Sequence, residues 1–116
     1  MVTNNYSSEQ ALEIANTIWI QLGSQRFSFV TGCKVVCYGE KDGKVFLLMS
    51  VGANTKGITL FEVAYNECED LYEVSFMRKQ NGTTQCVANY SGVYCDMLHT
   101  LFEQHTGLSV NFKVAA

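Results

Sequence analysis

The stretch Leu71-Tyr72-Glu73-Val74-Ser75-Phe76-Met77-Arg78-Lys79 alternates, with Tyr72, Val74 and Phe76 on one side and Glu73 and Ser75 on the other. Successive side chains of a strand point to opposite faces of a sheet, so these residues encode a strand with one dry and one wet face. Such a strand needs neighbours, and segments of the same period surround it. Strands are expected at residues 26–30, 33–38, 44–51, 57–65, 71–79 and 84–90. The separators Thr31-Gly32, Gly39 to Gly43, Gly52 to Lys56, Asn66 to Asp70 and Gln80 to Thr83 are each short enough for a hairpin. Consecutive short connections make an antiparallel meander. The chain contains no Pro, so no strand lacks a ladder donor.

Helical patterns flank this region. After an expected loose arm at residues 1–6, Ser7 and Gln10 stand at capping-box spacing. Ala11, Ile14, Ala15, Ile18 and Leu22 form an apolar stripe, widened by Leu12 and Trp19 and closed by Gly23. Toward the other end, Ser91 reads as an N-cap and Gly107 as the residue past a helix end. Val93, Tyr94, Met97, Leu98, Leu101, Phe102 and His105 recur between them at helical spacing. The expected fold is therefore α+β, a single domain over residues 1–116. A five- or six-stranded antiparallel meander sheet should carry an N-terminal and a C-terminal helix on one face, burying Trp19, Leu98 and Phe102.

Composition narrows the function classes. With 47% hydrophobic and 16% charged residues among 116, the chain can bury a core without metal or disulfide help. Eleven acidic against eight basic residues leave a net charge of −3, and the basic ones are scattered except for Arg78-Lys79. Tight phosphate binding draws on clustered Lys and Arg, so a nucleic-acid partner is disfavoured. The alternative it leaves is a nucleic-acid-binding module on the open sheet face, using Arg26, Lys34, Lys44, Arg78 and Lys79 beside strand aromatics. Five cysteines, Cys33, Cys37, Cys68, Cys86 and Cys95, follow a polar N-terminus with no export-signal pattern. An odd count in such a context points to reduced thiols in a cytoplasm, and no apolar run approaches a membrane span.

Three constellations could carry chemistry. Cys95, His99 and Glu103 stand at i, i+4 and i+8, one face of the second helix, where a thiol and an imidazole could begin a zinc site or a nucleophile–base pair. No second Cys/His pair at ligand spacing completes it, so a half-exposed helix face is expected. Cys33 and Cys37 alternate on one strand and should face the same way as small buried hydrophobes, since redox pairs use a Cys-x-x-Cys turn. The acidic run Glu67 to Asp70 lacks the ligand pattern and Gly of a calcium loop and should be a solvated turn. No catalytic residue, cofactor site or metal site is expected, and the chain is not read as an enzyme.

The tail Leu108-Ser109-Val110-Asn111-Phe112-Lys113-Val114 alternates again beyond the last helix. Leu108, Val110, Phe112 and Val114 would make an aggregation-prone edge if left bare, so they should close the sheet or bind a partner, with a homodimer favoured.

Three blocks also resemble a family of small bacteriophage and prophage proteins of unassigned function. They are Ile18 to Val36, with Leu22-Gly23, Arg26-Phe27 and Thr31-Gly32; Ile58 to Phe76, with Ile58-Thr59-Leu60 and Asp70 to Phe76; and Gly92 to Leu108, with Gly92-Val93-Tyr94 and Phe102 to Leu108. The resemblance spans roughly residues 10 to 108, and the chain departs from it in its extra cysteines and longer tail. It implies a helix–sheet–helix fold and phage ancestry. With it, the expected function is that of an accessory protein acting by protein binding, with counteracting a host defence system as one role.

Overall fold

The computed structural model describes residues 6–110 of the 116. The first helix, α1 (Ser8–Leu22), starts where the capping box places it. The Gln10 amide donates to Ser7 Oγ at 3.1 Å and the Ser7 amide to Gln10 Oε1 at 2.9 Å. Ala11, Ala15, Ile18 and Leu22 are buried, whereas Leu12 is exposed and Trp19 half-buried, so the stripe is narrower than the sequence suggests. Gly23 and Ser24 both take positive φ, 121° and 55°, and turn the chain sharply into a second helix.

That helix, α2 (Ser24–Thr31), replaces the strand expected at residues 26–30. Phe27 and Thr31, four apart, are buried, while Phe29 and Val30 face out. The Thr31 hydroxyl donates to the Phe27 carbonyl at 2.5 Å, and the Gly32 amide closes the helix on the Ser28 carbonyl. A run this short alternates and repeats at i, i+4 at once, and only the packing of Phe27 against Trp19, Phe61 and Phe102 separates the two readings.

Five strands follow: β1 (Lys34–Lys41), β2 (Lys44–Ser50), β3 (Leu60–Asn66), β4 (Leu71–Gln80) and β5 (Thr83–Val93). They form one antiparallel sheet in the order β1-β2-β3-β4-β5, the predicted meander. The β1–β2 and β4–β5 hairpins turn on Asp42-Gly43 and Asn81-Gly82, all four with φ between 54° and 77°. Two-residue turns with both φ positive match the right-handed twist of the strands they join, and Asx-Gly tolerates that backbone best. Residues 52–59 are a loop rather than the start of β3. Its hub is Asn54, whose side chain donates to the carbonyls of Gly52 and Ile58 and accepts from the amides of Lys56 and Ile58.

Val45, Leu47, Met49, Phe61, Val63, Tyr72, Val74 and Phe76 are all buried on the helix-covered face. Between strand and helix lies a chain of rings: Phe102 stands 5.0 Å from Phe27 and 5.1 Å from Phe61, and Phe61 stacks 5.1 Å from Phe76. The outer strands β1 and β5 are exposed along most of their length, and bulges interrupt their pairing at Val35/Cys37, Tyr72/Val74 and Phe76/Met77. Bulges twist an edge away from further strand addition.

The last helix starts later than expected. Ser91 stays in β5, Val93 pairs with Tyr72, and a single 3₁₀ turn at Cys95–Met97 leads into α3 (Leu98–Thr106). Gly107 ends α3 in the left-handed conformation, as its position predicts. No helix of the described residues is long and apolar enough to cross a membrane.

Candidate functional site

The late start of α3 dissolves the proposed Cys95/His99/Glu103 face. Cys95 lies exposed in the 3₁₀ turn, before the α-helical repeat begins. His99 turns inward: its Nε2 is 2.6 Å from the Leu22 carbonyl oxygen, and its ring stacks on Phe27 at 6.1 Å. Glu103 accepts the Val110 amide through Oε2 at 2.8 Å. Among the described residues no three His, Cys, Asp or Glu side chains are grouped to hold a metal.

Cys33 and Cys37 also part company. The bulge between Val35 and Cys37 breaks the alternation, leaving Cys33 buried and Cys37 exposed. Burial pushes the Cys33 thiol up to about 11, which keeps it protonated and unreactive. Of the tail residues, Leu108 is half-buried and Val110 buried against the core, with no strand formed at residues 107–110. Phe112 and Val114 lie outside the described residues.

The uncovered sheet face holds a shallow basin of about 230 Å³ bordered by Lys41, Lys44, Phe46, Glu62, Glu73 and Asn89. Lys44 Nζ pairs with Glu73 Oε2 at 2.7 Å, and Asn89 donates to Ser75 Oγ at 2.7 Å. Burial raises the Glu62 carboxyl against the opposing pull of Lys41. Lys44 is thus matched by a carboxylate of the face itself, which is not how a phosphate backbone is gripped. Arg26, expected on a strand here, lies on α2, and Arg78 is turned to the Lys56 and Gly57 carbonyls at 3.0 and 3.4 Å. Lys34 and Lys79 remain exposed.

The opposite end of the helix-covered side is a groove rich in tyrosine, which sequence patterning did not single out. Two adjoining hollows of about 260 and 310 Å³ share Gln21, Tyr65, Asp70 and Tyr72; Ile14 and Thr17 of α1 line one, and Val93, Tyr94 and Cys95 the other. Tyr65 and Tyr72 pair across β3–β4, their rings edge to face at 5.8 Å. Each hydroxyl is tied down: Tyr65 donates to Asp70 Oδ1 at 2.5 Å and Tyr72 to Gln21 Oε1. The bond to Asp70, aided by burial, pushes the Tyr65 phenol up to about 12. Asp70 holds φ 55°, a left-handed turn conformation that Asp and Asn tolerate. Nearby, the Tyr6 hydroxyl donates to Glu67 at 2.7 Å. The only signal in the sequence was the spacing of Tyr65 and Tyr72 about the acidic turn, and their convergence with Tyr94 needed the whole chain.

A second unusual surface is the corner where α2 meets β1. Phe29 is 90% exposed, and Val30, Val35 and Val36 also face solvent, with Ile20 exposed in the last turn of α1. Comparison with family models, with curated proteins and with solved structures returned no match to this chain.

Proposed function

We propose that this chain is a small phage- or prophage-type accessory protein that works by binding another protein in the host cytoplasm rather than by catalysis, counteracting a host defence being one such role. The observation that carries the reading is Phe29, an aromatic ring left 90% exposed on α2, with Val30 next to it in the chain and Val35 and Val36 also exposed at the start of β1. Covering a ring of this size gains about 1.5–3 kcal/mol, which favours a partner that buries it. The phage element of the proposal rests on the three resembling blocks, and the cytoplasmic element on five cysteines left free, four of them exposed. A second copy of the chain is one candidate for the partner.

The test compares tagged wild-type and Phe29→Glu chains in capture from infected host cells, with light scattering of each alone. A protein, or a second copy, held by the wild type and lost from the variant supports the reading. Identical companions and identical mass for both chains would remove the corner as the binding surface.

A further inference from the structure

The tyrosine groove has a chemistry of its own. Tyr65, Tyr72 and Tyr94 line it, Asp70 supplies a carboxylate, and neither hollow is lined by Lys, Arg or His. Electron-rich ring faces attract an organic cation within about 6 Å, and a carboxylate beside them adds a direct charge partner. Two of the rings are fixed before any ligand arrives, because the hydroxyls of Tyr65 and Tyr72 are held by Asp70 and Gln21. Preorganisation of this kind lowers the ordering cost of binding. Glu67 and Glu69 lie exposed on the same turn as Asp70, so the approach to the groove is acidic as well.

We infer that the groove is an aromatic cage for an organic cation, and specifically for the Lys or Arg side chain of a partner polypeptide, with Asp70 as its counter-ion. Ile14 and Val93 offer apolar contact for the aliphatic stem of such a side chain, while the head sits between rings and carboxylate. The inference rests on the protein-binding reading only for the source of the cation. The cage itself is separate from the Phe29 corner.

The cage is tested on the full chain by NMR of isotope-labelled tyrosine rings. The probes are N-acetyl-lysine methylamide, N-acetyl-arginine methylamide, tetramethylammonium chloride and the neutral isostere N-acetyl-norleucine methylamide, all at one ionic strength. Saturable shifts of the Tyr65, Tyr72 and Tyr94 signals are expected with the lysine or arginine probe and not with norleucine. Tyr94 is 60% exposed, so Tyr94→Ala should leave the fold intact while weakening binding by about 2- to 30-fold. Asp70→Asn keeps the tolerated φ and removes the charge, and should weaken cation binding further without admitting the neutral probe. Equal response to norleucine, no saturable shift with any cation, or a response to tetramethylammonium alone would overturn the assignment. Because no partner protein is involved, this result stands whether or not Phe29→Glu loses its companions.

Discussion

His99 Nε2 lies 2.6 Å from the carbonyl oxygen of Leu22, joining α3 to the last turn of α1 across seventy-seven residues of sequence. A carbonyl only accepts, so Nε2 carries the proton, and the carbonyl at the end of α1 gains a donor. The same imidazole stacks on Phe27 of α2. One side chain thus joins α1, α2 and α3. Replacing it by Ala should cost about 1–3 kcal/mol in denaturant unfolding, since the Leu22 oxygen loses its partner in a half-buried site. An unchanged midpoint would show the bond to be dispensable.

Phe102 is the ring through which α3 grips both Phe27 and Phe61, and none of it is exposed. Phe102→Ala should destabilise the fold by about 3–5 kcal/mol, the range for emptying a buried aromatic site. A loss below about 1 kcal/mol would mean that α3 does not pack on the sheet as described.

Glu62 gives a pH dependence of opposite sign to most carboxylates. Its folded pKa is raised above the ordinary 4.5 by burial, so ionisation is easier in the unfolded chain. Its unfavourable contribution is absent below 4.5 and grows as pH rises through the folded value. Glu62→Gln should therefore be more stable than wild type at neutral pH, with the difference fading in acid. Urea unfolding of both chains across that range measures it.

His105 acts on the acid side of neutrality. Burial first, and the Lys56 charge second, hold its folded pKa below the ordinary 6.5, with Nε2 2.6 Å from the Tyr90 hydroxyl. As pH falls below 6.5 the unfolded chain takes up a proton that the folded chain resists, so stability is lost until the lower folded pKa is passed. His105→Gln should flatten this part of the thermal-unfolding profile. A slope identical to wild type would place the proton elsewhere.

Val110 connects the tail to the core: it is buried, and its amide donates to Glu103 Oε2 at 2.8 Å. Val110→Ala, or a chain ending at Gly107, should lower stability, the first by up to about 1.5–3 kcal/mol. Light scattering on the shortened chain also tests association: a dimer that becomes monomeric would place the self-contact on the tail, and unchanged mass would remove the tail as the self-association surface.

What could be read without coordinates was whatever local chemistry dictates. The capping box at Ser7 and Gln10, the Asx-Gly turns at Asp42 and Asn81, the alternation of Tyr72, Val74 and Phe76 and the Gly107 helix end each act over a few residues, and together they determined an α+β meander flanked by helices. Tertiary packing decided the rest. Residues 26–30 became helix because burying Phe27 and Thr31 together outweighed their alternation, and Ser91 stayed in a strand because Val93 pairs with Tyr72. A bulge at Val35/Cys37 separated two cysteines that strict alternation would have aligned. The tyrosine groove belongs mostly to this second class: Tyr65, Asp70 and Tyr72 share one hairpin, but Gln21 and Tyr94 reach it from distant parts of the chain. Their meeting is a consequence of non-local packing, which no spacing of neighbouring residues encodes.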